Sequence, residues 1–261
     1  MKYLVSLSGG IASAVAADRA IQRYGRENVT LWFANTNWED EDLHRFLDDL
    51  QARWGGEIIV HANLDKDGKP RTPLSVAEDE HIIPNQKLAT CSRALKQIPF
   101  RNYLRSLDGP VTVLLGLDWR EMHRHAMPRA AWEKEGAIVD FPLMWPDLTD
   151  QYAAIVESWG IAIPRLYASG FPHNNCGGRC VRQGQKEWLR LKATFPGRFE
   201  EVREWEERHR AMPDNRANYA ILRDRRGGTS RPLTLTELAL RDEPLETAGP
   251  VDDRIGCFCE M

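Results

Sequence analysis

The chain has 261 residues, 42% hydrophobic and 28% charged, with 35 Lys and Arg against 38 Asp and Glu for a net charge of −3. That composition belongs to a folded globular protein and excludes disordered, collagen-like and coiled-coil classes. The near-balanced charge gives no global pull toward nucleic acid or an anionic membrane, so any basic surface is local.

Met1-Lys2 and the apolar stretch behind them have the outline of a secretory leader. Ser6, Ser8, Gly9 and Gly10 interrupt that stretch where a leader's core would be continuous, so a folded, cytoplasmic start is expected. No run reaches the ~18 apolar residues of a membrane span. Five cysteines, without the spacing of a secreted scaffold, point to reduced thiols or a metal centre.

In chain order, 2–6 reads as a short buried strand, 12–24 as an alanine-rich helix and 29–34 as a second strand. An acidic amphipathic helix follows over 41–54, closed by Gly55-Gly56, with a strand at 57–61. The β-branched run 111–116 is a further strand. Strands alternating with helices predict an α/β fold, a parallel sheet with helices on both faces. The division expected is a strand-and-helix domain over 1–140 and a cysteine-bearing helical and loop extension over 141–261. Within the extension, 185–212 is helical and charged, split at Pro196-Gly197, and 214–254 is loop-rich.

Ser8-Gly9-Gly10-Ile11-Ala12-Ser13 closes the first strand and opens the first helix. A glycine turn exposes backbone N–H groups, the helix N-terminus adds partial positive charge, and the Ser8 and Ser13 hydroxyls add donors. There is no lysine of a Walker A loop and no G-x-G-x-x-G. The spacing serves equally well as a serine-capped strand-to-helix turn. Gly9→Val is expected to block nucleotide binding and to leave the fold largely intact.

Several segments in register resemble the PP-loop superfamily of ATP pyrophosphatases and phosphoadenosine phosphosulfate (PAPS) reductases. They are the Ser8–Ser13 loop, Phe33-Ala34-Asn35-Thr36 with Glu39, the Cys91-to-Pro99 segment, and Gly116-Leu117-Asp118-Trp119-Arg120-Glu121-Met122-His123-Arg124. Pro142-Leu143, Gly160-Ile161, Pro164, Leu166-Tyr167, Gly170-Phe171, Cys176 and Cys180 continue the pattern, so the likeness covers about residues 1–185. It implies a Rossmann-like, HUP-type PP-loop fold that binds an adenine nucleotide, ATP or PAPS, with Mg²⁺. Ser8, Gly9, Gly10 and Ser13 would hold phosphate, Asn35 and Thr36 the nucleoside, and Arg93 the phosphate or sulfate. Lys96, Arg124 and Cys91 become the catalytic candidates. Arg93 and Lys96, three apart at the start of a helical stretch, are expected to share a face. Two departures stand out. Ala12 occupies a position where many ATP-using relatives have Asp, and Cys91-Ser92 replaces the Cys-Cys pair of cluster-bearing PAPS reductases.

Cys176-Gly-Gly-Arg-Cys180 and Cys257-Phe-Cys259 are two short-spaced pairs, and four thiolates suit either tetrahedral Zn²⁺ or a [4Fe–4S] cluster. The resemblance favours iron–sulfur. A second partition puts Cys91 with Cys176 and Cys180 and leaves Cys257 or Cys259 as a mobile nucleophile. His123 and His125 are read as surface residues rather than ligands. The arginine-rich stretch 208–231 is read as a salt-bridged surface, with a nucleic-acid contact as the alternative.

The leading expectation is an AMP-forming ATP pyrophosphatase that adenylates an acceptor (a tRNA base, DNA or a small molecule) for sulfur transfer, served by a sulfur- or electron-donor protein. A PAPS or APS reductase and a non-catalytic nucleotide or redox sensor are the alternatives.

Overall fold

The computed structural model describes residues 1–146, 150–214 and 218–241. Its elements in order are β1 (Lys2–Leu7), α1 (Ile11–Tyr24), β2 (Val29–Asn35), α2 (Glu41–Trp54), β3 (Ile58–Ala62), α3 (Pro73–Asp79) and α4 (Thr90–Ser92). A π-helical turn, Arg93–Gln97, carries α4 into α5 (Ile98–Arg105), followed by β4 (Val111–Leu114), α6 (Met122–Glu133) and β5 (Ile138–Asp140). Then come α7 (Tyr152–Ser158), α8 (Arg165–Ala168), α9 (Gln185–Thr194), α10 (Pro196–Arg210), β6 (Leu222–Asp224), β7 (Arg231–Leu233) and α11 (Leu235–Ala239).

The first five strands form one parallel sheet in the order β3-β2-β1-β4-β5, with Tyr3 beside Val29 and Lys2 beside Val111. The expected α/β architecture is therefore present. Strand alternation divides the side chains between two cores. Val5, Leu7, Leu31 and Phe33 face α1, α2 and α7, while Leu4, Trp32 and Val113 pack with Phe100, Leu104 and Trp132 of α5 and α6. The alanines of α1 (Ala14, Ala16, Ala17, Ala20) are fully covered and let it lie close on the sheet. Asp40 caps α2 by accepting from the Asp42 N–H, and Gly55 at φ +67° ends it. Leu143, Tyr152, Val156 and Ile161 join the α1 core, so the chain beyond β5 still packs on the sheet.

A third core lies under α9, α10 and α11, where Trp188, Phe199, Val202, Leu233 and Leu238 are buried. It contains the β6–β7 hairpin and α11, in a stretch that reads as loop. Strands of three residues are too short to leave a period in the sequence. Buried Glu206 ties these pieces to α10 by accepting the N–H of Ile221 at 2.8 Å and of Leu235 at 2.7 Å. Asp224 gathers Arg226, Arg231 and Arg241, as the salt-bridged reading of the arginine-rich stretch expects. No helix among the described residues is long and apolar enough to cross a membrane.

Candidate active site

In the order β3-β2-β1-β4-β5 the chain reverses direction across the sheet between β1 and β4. Ligands of open parallel sheets bind beyond the strands' carboxyl ends at such a point. The segments that follow these two strands do meet there. Gly10, Ile11 and Ala12 face Asp118, Arg120 and Arg124 across a cleft of about 390 Å³.

The Ser8–Ser13 loop is folded by its own serines. Ser8 donates its N–H (3.1 Å) and its hydroxyl (2.9 Å) to Ser13 Oγ, and Ser13 donates to the Gly10 carbonyl at 2.9 Å. The side chains therefore shape the turn, while the backbone N–H groups of the first turn of α1 border the cleft. Gly9 adopts φ +80°, and a Cβ there would stand 2.7 Å from Leu43 Cδ1. This corrects the expectation for Gly9→Val: such a variant loses fold stability as well as the loop.

Across the cleft, Asp118 is 3% exposed and accepts from Tyr152 Oη at 2.9 Å and from the Arg120 N–H at 2.9 Å. Burial opposes the Asp118 charge, but the Arg120 and Tyr152 hydrogen bonds outweigh it and hold the carboxyl below its ordinary value. Arg124 is 6% exposed and paired with Glu121. His173 is kept neutral first by burial and then by the nearby Arg124. His125 stacks on Phe141 and contacts the Asp118 carbonyl, a structural role.

Behind the loop lies a second group. Pro99 has no N–H to give the Leu95 carbonyl, and the helix widens into the π turn just before it. Asn63 Nδ2 donates to the freed carbonyl at 2.9 Å and to the Asn35 carbonyl at 2.7 Å. The turn drives Lys96 inward to 6% exposure, where it borders a small cavity with Ser6 and Ser8. Burial alone would lower the Lys96 pKa, but Glu39 and the thiols of Cys176, Cys180 and Cys91 reverse this and keep it charged. Glu39 accepts from Thr36 Oγ1 at 2.8 Å and from the Cys176 N–H at 2.7 Å.

Cys176 itself has φ +52°, and Gly177 and Gly178 follow at +58° and +80°. A left-handed cysteine is strained, and such strain concentrates at functional positions. The neighbouring Cys176 lowers the Cys180 thiol to about 7, toward thiolate, while the Cys176 thiol is pushed up. Burial raises Cys91 to about 11. A cavity of about 40 Å³ reaches Cys180 between His173 and Arg182. Among the described residues no three His, Cys, Asp or Glu side chains come close enough to hold a single metal ion.

Lys96, Cys91, Cys176 and Cys180 are thus brought together, with Arg124 in the adjoining cleft. Cys257 and Cys259 lie outside the described residues. Arg93 does not join the group. Its side chain is 65% exposed beside Glu80, because a π turn sets residues three apart on different sides. Asn35 and Thr36 are committed to hydrogen bonds within their own turn, Asn35 Oδ1 accepting from the Asn37 N–H at 2.8 Å. Tyr167, whose hydroxyl accepts the Ile11 N–H at the mouth of α1, and Asn174, which reaches the loop, carry no role in the sequence reading, since only the return of the chain places them there.

No curated protein matches the chain. The family model described as the phosphoadenosine phosphosulfate reductase domain matches residues 2–180, from β1 through Cys180, and so spans both the cleft and the thiol group. The chain therefore belongs to the phosphoadenosine phosphosulfate reductase domain family, a family of adenine-nucleotide-binding PP-loop enzymes.

Proposed function

We propose that the protein cleaves ATP to AMP and pyrophosphate, transferring the adenylyl group to an acceptor oxygen that sulfur then displaces as AMP. One observation carries this reading. Lys96 borders a cavity with Ser8 of the phosphate loop and also faces the thiols of Cys91, Cys176 and Cys180, so phosphate and sulfur chemistry share a wall.

The roles follow from position. The first N–H groups of α1 and its dipole bind the phosphate chain. Arg120 and Arg124, on the opposite wall, stabilise the charge that develops on departing pyrophosphate. Lys96 neutralises charge between phosphate and thiolate. Glu39 holds the Cys176 turn through its N–H. Although Ala12 supplies no carboxylate, Glu121 and Asp150 border the same cleft. That set fits Mg²⁺, which retains water and binds through one or two carboxylates plus the substrate's phosphates.

The thiols of Cys91, Cys176 and Cys180 surround the Lys96 charge, which suits an iron–sulfur cluster carried on thiolates. Cys91, Cys176 and Cys180 would hold the cluster, and Lys96 would offset its negative charge. Held there, the cluster would supply iron to bind the sulfur for transfer.

A PAPS or APS reductase is the second reading, favoured by the push of Cys180 toward thiolate, the form that attacks sulfur. The two are separated by supplying anaerobically purified protein with Mg²⁺-ATP or with PAPS and a dithiol reductant. Pyrophosphate from ATP without sulfite from PAPS is expected. Sulfite formation that vanishes in Cys180→Ser, without pyrophosphate release, overturns the proposal in favour of the reductase.

A further inference from the structure

We infer that His173 is the general base of the adenylyl transfer, taking the acceptor's proton as the acceptor oxygen bonds to the α-phosphorus of ATP. The inference rests on the reading proposed above and deepens it. In that reading the acceptor meets two groups: its oxygen reaches the α-phosphorus in the cleft, and sulfur reaches it from the thiol side. Among the described residues, only Pro172 and His173 line both the cleft of about 390 Å³ and the cavity of about 40 Å³ at Cys180. The acceptor therefore belongs at this shared wall, and of the two only histidine can take up a proton.

The wall fixes the backbone and leaves the ring open. Phe171 and Asn174 are buried on either side of the pair, and Asn174 Nδ2 is tied to the Gly9 carbonyl at 3.0 Å. Between them the His173 side chain is exposed at the cleft. No hydrogen bond among the described residues engages either ring nitrogen. Crowding by the walls, and then the charge of Arg124, favour the neutral ring against the weaker pull of Glu187. A neutral imidazole keeps a lone pair for a proton. The carboxylates of the cleft are already engaged. Asp118 accepts from Tyr152 and Arg120, Glu121 pairs with Arg124, and Asp150 lies 3.6 Å from Arg120.

The step balances with these groups. The acceptor oxygen bonds to the α-phosphorus as the bond from that phosphorus to the bridging oxygen breaks. Pyrophosphate leaves with the electron pair, and the acceptor's proton moves to the unprotonated ring nitrogen of His173. The imidazolium then gives the proton to water and is ready for another turnover. Water can itself stand in as the acceptor, which yields AMP and pyrophosphate.

Pyrophosphate release from Mg²⁺-ATP, with water as the acceptor, tests this on the anaerobically purified full chain. His173→Gln should lower kcat about 10²-fold and leave the KM for ATP within about twofold. In His173→Ala, added imidazole should restore turnover at least about tenfold, since a free base can fill the vacated space. A kcat in His173→Gln within about threefold of native overturns the inference alone. A loss that imidazole leaves unrestored also overturns it, as does a parallel rise in KM, because a merely structural wall would act that way. A native chain that releases no pyrophosphate overturns the proposed function and this inference together.

Discussion

Asn174 reaches back to the phosphate loop, donating Nδ2–H to the Gly9 carbonyl at 3.0 Å from a side chain only 2% exposed. Two residues later the chain reaches Cys176, whose own N–H is held by Glu39. One short segment therefore fixes loop and thiols to each other. Asn174→Ala should cost about 1–3 kcal/mol in urea unfolding, because it leaves a buried carbonyl unpaired. It should also lower ATP turnover, since the loop and the Cys176 turn lose their common support.

The position of Lys96 depends on Pro99. Pro99→Ala restores an N–H that competes with Asn63 for the Leu95 carbonyl and lets the π turn relax toward α-helix. Thermal stability should be equal or higher, while turnover falls at least tenfold as Lys96 rotates from its site. Lys96→Met keeps the apolar stem and removes the charge, and should reduce kcat by about 10²–10³ with the fold retained on circular dichroism.

Gly9→Ala should destabilise the protein by about 1–3 kcal/mol, because any side chain at φ +80° is strained and this one meets Leu43. The measurement is the urea midpoint. A variant as stable as the native chain would mean that Leu43 and the loop adjust freely.

The pH dependence has a definite sign. His173 has its pKa lowered by burial, so the unfolded chain binds protons below its ordinary value of 6.5 that the folded chain resists. The stability present above pH 6.5 is therefore lost as pH falls below it. His61 and His125 are lowered by burial too and act in the same direction. His173→Gln should flatten the decline in unfolding free energy below pH 6.5 without abolishing it.

Much of this was legible in the sequence where local pattern carries the information. The helix over 41–54 has the bounds its amphipathic spacing predicts, and the strands at 2–6, 29–34 and 57–61 lie within a residue or two of β1, β2 and β3. The Ser8–Ser13 turn was legible for the same reason, as glycines at a strand-to-helix junction have few other uses. What stayed hidden depends on the return of the chain. Whether Cys91 joins Cys176 and Cys180 stood as one of two partitions, because residues 85 and more apart in number meet only through the fold, and the contact of Tyr167 with Ile11 spans 156 residues in the same way. The separation of Arg93 from Lys96 was hidden for a subtler reason. Proline normally marks a helix boundary, and here the chain absorbs Pro99 as a π turn with Asn63 taking the spare carbonyl.

The most direct test of a shared phosphate and thiol site is iron and acid-labile sulfide per chain, measured on anaerobically purified protein and on single Cys→Ala variants. About four irons per native chain are predicted, lost in Cys91→Ala, Cys176→Ala and Cys180→Ala. One zinc per chain, or iron fully retained in Cys91→Ala, would contradict the account.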